Sequence, residues 1–130
     1  MSRKSKGIGA ERELVHKFWD NGWACIRVAG SGSSKYPSPD LIAGNNIRKV
    51  AIEVKTTKDD SKYFPEQEIE QLKQFASIFG AEPWIAVKFG KNWYFINPED
   101  LKETKQFNLS IKKSDVELRG LSFEELINFI

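Results

Sequence analysis

Three residues in the first half of this chain have types and spacing suited to chemistry. Asp40 follows the two prolines of "YPSPD", and Glu53 and Lys55 stand inside the apolar run "VAIEVK". Two carboxylates a few ångströms apart suit a hard divalent cation, which takes oxygen ligands. Such a cation lowers the pKa of a bound water and steadies charge on phosphorus. A lysine beside it orients the attacking water or offsets charge on the phosphoryl oxygens. The backbone carbonyl of Val54 supplies a further oxygen. Metal-assisted attack at phosphorus is therefore the chemistry these types suggest. The plainer alternative is a Glu/Lys pair on the exposed face of a sheet.

The elements that must position these groups can be read from pattern. Side chains alternate along a strand. Val50, Ile52 and Val54 share one face of "RKVAIEVKT", and Ala51, Glu53 and Lys55 share the other. "DLIA" is a strand before it, and "GNN" from Gly44 to Asn46 is a turn, so the pair is an antiparallel hairpin. That turn is expected to set Asp40 opposite or near Lys55 rather than directly beside Glu53. A twist or bulge is then needed to bring the heads together.

A third acid falls on a helix. From about Ile8 to Asn21 the pattern is helical, and Ile8, Glu11, Leu14, Val15 and Phe18 share its stripe. A carboxylate on a core-facing stripe is costly unless it is paired or metal-bound. Glu11 also lies in the first turn, where the helix dipole favours an anion, so a simple first-turn acid remains the alternative.

Phosphate contacts have candidates too. Ser31 and Ser33 lie in the loop "GSGSSKYPSP", where hydroxyls and free N–H groups suit phosphate oxygens. Lys35 and Arg27 bring charge nearby, with Lys55, Lys58 and Lys62 around the same stretch. Arg3, Lys4 and Lys6 form a basic N-terminal arm. Gln67, early in a second helix, can reach a metal-bound water or backbone.

Further along, Pro65 to Gly80 reads as a helix striped by Ile69, Leu72, Phe75 or Ala76, and Phe79. "PWIAVKF" and "WYFIN" form a hairpin around "GKN". "PEDLKET" reads as a short helix, "FNLSIKK" as a last strand, and "SFEELINFI" as a closing helix with Ser122 and Glu125 in capping-box spacing. Helices and strands alternating in this order predict an α/β fold, a mixed central sheet flanked by helices.

Composition bounds the rest. The 130 residues suit one domain, 1–130, and 40% hydrophobic content can fill a modest core. No apolar run approaches the ~20 residues that span a membrane. The start "MSRKSKGIGAERE" has no apolar stretch of signal-peptide type, so a cytoplasmic protein is expected. Cys25 is the single cysteine and His16 the single histidine, too few for a zinc site. Cys25 reads as a small core residue, and His16 as a surface or packing residue. The net charge of +2 proves no nucleic-acid partner by itself. The four tryptophans are scattered, which suits core or interface packing better than base stacking.

Taken together the motifs resemble a known pattern. "PD" at Pro39 and Asp40, then "EVK" at Glu53 to Lys55, resembles the PD-(D/E)xK nuclease superfamily. The longer set "GIGAERELVHKFWDNGW", "RVAGSGSSKYPSPDLIA", "AIEVK" and "EQ" before a helix is similar to the archaeal Holliday junction resolvases. The resemblance spans roughly the first two-thirds of the chain. It implies a restriction-endonuclease-like core and an enzyme that cuts two opposed strands of a four-way DNA junction. It implies Mg2+, with Mn2+ as a substitute, and a homodimer whose twofold axis pairs two sites. By position, Glu11, Asp40 and Glu53 match the family's metal-binding acids, with the Val54 carbonyl beside them. Lys55 matches its catalytic lysine and Ser31 a catalytic-loop serine. Arg27 matches a basic residue the family needs, and Gln67 a helix residue near the metal. Shape and backbone recognition would fall to Arg3, Lys4, Lys6, Arg27, Ser33, Lys35, Lys58 and Gln67. The alternatives are a general nuclease of the same fold, acting in restriction or repair, and a catalytically silent junction-binding module.

Overall fold

The computed structural model describes residues 3–30, 35–103 and 108–129. Helix α1 runs over Arg3–Asp20, longer than its apolar stripe alone suggests. Ala10, Leu14 and Phe18 recur at helical spacing and are all buried. Gly22, with φ of 82°, takes the left-handed conformation that turns the chain out of the helix.

Strands β1 (Ala24–Arg27), β2 (Leu41–Gly44) and β3 (Lys49–Thr57) follow. After β4 (Ser61–Pro65) comes α2 (Glu66–Phe79), then β5 (Glu82–Phe89) and β6 (Asn92–Ile96). A five-stranded sheet has the order β1-β2-β3-β5-β6. Only the β3–β5 pair is parallel, because α2 crosses between them. The hairpins β2–β3 and β5–β6 are antiparallel. The expected mixed sheet flanked by helices is the architecture found.

Two apolar layers sandwich this sheet. On one face Leu14 and Phe18 of α1 pack on Val50 and Ile52, together with Phe123 and Leu126 of α4 (Phe123–Asn128). On the other, Ile69, Leu72 and Ala76 of α2 pack on Ala51, Ile85 and Val87. Trp23, Trp84 and Trp93 are buried, whereas Trp19 is exposed and donates its Nε1–H to the Cys25 carbonyl at 2.9 Å. Cys25 is a buried core residue and His16 an exposed one.

The last third departs from its sequence pattern. "PEDLKET" makes only a single 3-10 turn, Pro98–Asp100, followed by the two-residue strand β7 (Lys102–Glu103). The Asn97 side chain accepts from the Glu99 N–H and caps that turn. Strand β8 (Asn108–Lys112) lies where a last strand was expected. It joins β4 and β7 in a second, three-stranded antiparallel sheet that the sequence pattern did not announce. A short helix, α3 (Lys113–Arg119), was likewise unanticipated. The capping box at Ser122 and Glu125 is formed as its spacing indicates.

Candidate active site

Asp40 and Glu53 meet because of the loop between β2 and β3. The Asn45 N–H donates to the Arg48 carbonyl at 2.9 Å, and the Asn45 side chain accepts from the N–H groups of Ile47 and Arg48. This four-residue connection pairs Gly44 with Lys49 and Leu41 with Ile52. The ladder ends there, and the Asp40 carboxyl just beyond it meets the Glu53 carboxyl side chain to side chain. The expectation that Asp40 lies opposite or near Lys55 rather than beside Glu53 is therefore corrected: the ladder that ends at Leu41 and Ile52 brings the Asp40 carboxyl into hydrogen-bond contact with Glu53, with Lys55 within reach of its charge.

Backbone contacts then fix Asp40. Its N–H donates to the Ile52 carbonyl at 3.0 Å, and its carbonyl accepts from the Val28 N–H at 2.8 Å. Its Oδ2 accepts from the Val54 N–H at 2.8 Å. Asp40 and Glu53 are each only 9% exposed. They line one side of an open cavity of about 570 Å³ with Val54 and Lys55. Glu11, Lys35, Gln67 and Glu68 complete much of its wall.

Electrostatics make this a strained cluster. Burial pushes the Glu53 carboxyl far above the usual carboxylate range, and the hydrogen bond and charge of Asp40 push it further. Glu68 adds to the rise, while Lys55 opposes it. Burial also raises Glu11, helped by the charge of Asp40 and opposed by Arg27 and Lys55. Burial works against the Lys55 ammonium. The hydrogen bond and charge of Glu68, with the charges of Glu53 and Asp40, outweigh it and hold Lys55 above the ordinary lysine value.

Other candidates fall in different places. Arg27 donates its Nε–H to Glu11 Oε1 at 3.1 Å, so the two form an ion pair at the cavity's edge. Gln67 and Lys35 reach the cavity; the Lys35 ammonium also lies 5.6 Å from the centre of the Tyr36 ring. Lys58 is exposed in the bend after β3 and does not line the cavity. Ser31 and Ser33 lie outside the described residues. Arg3, Lys4 and Lys6 belong to the first turns of α1 by backbone, and their side chains lie outside the described set. Glu68 is the residue that sequence reasoning missed. Its signal is the acidic first turn of α2, where Glu66 and Glu68 flank Gln67.

The donor set fits a divalent cation. Among the described residues no three His, Cys, Asp or Glu side chains gather tightly enough to hold a metal between them. Two adjacent carboxylates remain, and burial, with the hydrogen bond and repulsion of Asp40, raises the Glu53 carboxyl. A dication offsets that repulsion. Two carboxylates and a carbonyl suit a hard divalent cation with oxygen ligands. Glu11, held by Arg27, stands nearby in the same wall.

A family model described as archaeal Holliday junction resolvase (hjc) matches residues 2–130. The chain is 44% identical over 124 residues to the crossover junction endodeoxyribonuclease Hjc of Archaeoglobus fulgidus, covering 95% of this chain and 90% of that protein. It is 34% identical over 131 residues to the enzyme of the same name from Sulfurisphaera tokodaii, covering 99% and 90%. The solved structure of Archaeoglobus fulgidus Hjc, a Holliday junction resolvase, superposes with a TM-score of 0.85 at 41% identity, over 92% of this chain and 98% of that one.

Proposed function

The chain belongs to the archaeal Holliday junction resolvase family, and from that premise we propose how its single nuclease domain, 1–130, cuts DNA. As a member it is a crossover junction endodeoxyribonuclease, a nuclease that hydrolyses DNA with a divalent metal ion. The observation that carries the assignment of roles is the facing of Asp40 and Glu53 beside Lys55 in one open cavity.

Asp40, Glu53 and the Val54 carbonyl hold Mg2+, with Mn2+ able to substitute, and Glu11 adds a third acid. When bound, the ion lowers the pKa of a coordinated water and offsets charge developing on the phosphate. Lys55 places a positive charge beside the phosphoryl oxygens. The Val54 N–H keeps the Asp40 carboxylate turned into the cavity. Arg27 keeps Glu11 in place through their ion pair. Ser31, nine residues before Asp40 in the sequence, is assigned to the catalytic set by its match to the family's catalytic serine.

The substrate is four-way junction DNA, read by shape and phosphate backbone. Arg3, Lys4, Lys6, Ser33, Lys35, Lys58 and Gln67 are the contact residues. Two opposed strands are cut, so two sites act in a homodimer. The apolar side of α2 supports that assembly: Phe75 and Phe79 stack at 5.2 Å, and Ile78 is 81% exposed beside them. Together with Pro37 they line an apolar cleft next to the acidic cavity. Among the described residues no helix is long and apolar enough to cross a membrane. The junction DNA it acts on is the ground on which we place the enzyme in the cytoplasm.

Cleavage of a four-way junction, with unbranched duplex of the same sequence as control, tests this function. Symmetric nicks in the junction with Mg2+, and none when the ion is chelated, are expected. Equal cutting of the duplex would instead favour a general nuclease, and binding without cutting a silent junction-binding module.

A further inference from the structure

Lys55 leaves β3 at the rim of the cavity, and a residue from another element meets it there. Oε1 of Glu68 lies 2.5 Å from the Lys55 Nζ, with each side chain about a quarter exposed. Glu68 is the third residue of α2, which starts directly after Pro65 at the end of β4. The buried contacts of Ile69 and Leu72 anchor that turn against the sheet. The carboxylate is thus presented from a fixed backbone.

The position matters because Lys55 has other acids within reach of its charge, namely Glu53 and Asp40. A lysine carries four methylenes and loses substantial rotamer freedom when held. An ammonium that folded onto the Asp40–Glu53 pair would occupy the carboxylates a cation needs. Drawn towards α2, the same ammonium stays beside the pair and open to an arriving phosphate.

We propose that Glu68 is a positioning residue for Lys55, holding its ammonium at the cavity rim so that it meets the phosphate rather than the Asp40–Glu53 pair. The inference rests on the reading of Lys55 as the catalytic lysine and gives that reading a second residue. Glu68 also acts on Glu53 by charge alone, so a single substitution cannot separate the two effects. A double-mutant cycle does, because residues that act through one another are non-additive.

The test uses the full chain with Glu68→Gln, Glu68→Asp, Lys55→Gln and the Glu68→Gln/Lys55→Gln double variant. Single-turnover cleavage of a four-way junction and junction affinity are measured. Mg2+ binding to the DNA-free protein is followed by calorimetry. Glu68→Gln should lose about ten- to a hundredfold in cleavage rate, the scale of a misplaced catalytic group, with junction affinity unchanged. Glu68→Asp should recover part of that loss. Glu68→Gln should also weaken Mg2+ binding, because the released ammonium settles on the acid pair. In the Lys55→Gln background Glu68→Gln should cost nothing further in cleavage and weaken Mg2+ binding less, leaving only its charge effect on Glu53. Multiplying losses in the double variant, or Mg2+ binding weakened equally in both backgrounds, would overturn the proposal. Parental cleavage by Glu68→Gln with an inactive Lys55→Gln would overturn the role of Glu68 alone. Parental cleavage by Lys55→Gln would overturn the reading of Lys55 on which it rests.

Discussion

The Oδ2 atom of Asp40 accepts a 2.8 Å hydrogen bond from the backbone N–H of Val54, the residue between the second acid and the lysine. That bond couples the position of one carboxylate to the strand carrying the other. It also satisfies a donor buried at the floor of the cavity. Asp40→Asn and Asp40→Ala both remove the charge, but only asparagine keeps an oxygen for the Val54 N–H. Asp40→Ala should therefore be less stable than Asp40→Asn by roughly 1–3 kcal/mol, the cost of an unmade buried bond. Urea unfolding without divalent ions measures the difference. Equal stabilities would mean that the bond contributes nothing.

Glu53 gives a stability that depends on pH. Burial, then the hydrogen bond and charge of Asp40, raise its folded pKa above the ordinary value near 4.5. Below that value the group is protonated both folded and unfolded, and its contribution is fully present. As pH rises from there towards the folded pKa, the unfolded state loses its proton first and the contribution declines. In the absence of cation, Glu53→Gln should be more stable than the parent at neutral pH. The gain should shrink to nothing below about pH 4, where both carry an uncharged side chain. Thermal melts across that range check the sign, and a gain that grows on acidification would contradict it.

Arg27 is expected to control the acid limb of activity through Glu11. Burial and the charge of Asp40 raise Glu11, and the Arg27 ion pair holds part of that rise back. Arg27→Gln removes the restraint, so Glu11 should protonate at higher pH. The fall of cleavage rate on the acid side should move to higher pH with it. An acid limb that stays put would show that Glu11 need not be ionised.

Much of this site was legible in residue order, and some of it was not. Alternation along "VAIEVK" put Glu53 and Lys55 on one face, and the prolines marked where Asp40 enters its strand. The contact of Asp40 with Glu53 escaped because Asp40 lies just beyond the last pair of the ladder, where its N–H bonds the Ile52 carbonyl out of register, and the side-chain pattern carries no sign of that. Glu68 escaped because neighbouring first-turn positions differ by about 100° around a helix, and only the docking of α2 decides which one meets Lys55. Strand β4 was missed for a related reason. "SKYFP" finds its partner, β8, more than forty residues later, and local pattern carries no trace of that pairing.

The α2 surface should determine assembly. Ile78 is 81% exposed beside the stacked Phe75 and Phe79, at a cleft that also holds Pro37. Ile78→Glu should shift the protein from dimer towards monomer at micromolar concentration, because it places a charge where apolar surface must be buried. Sedimentation velocity reads this directly. A parental chain that sediments as a clean monomer would argue against paired incision.

The most direct test of the account is single-turnover cleavage of a four-way junction in Mg2+ by Asp40→Asn and Glu53→Gln, with junction binding measured on the same preparations. Both variants should bind the junction as the parent does and fail to cut it. Cutting at near the parental rate by either one would contradict the assignment of the facing carboxylates as the seat of the metal ion.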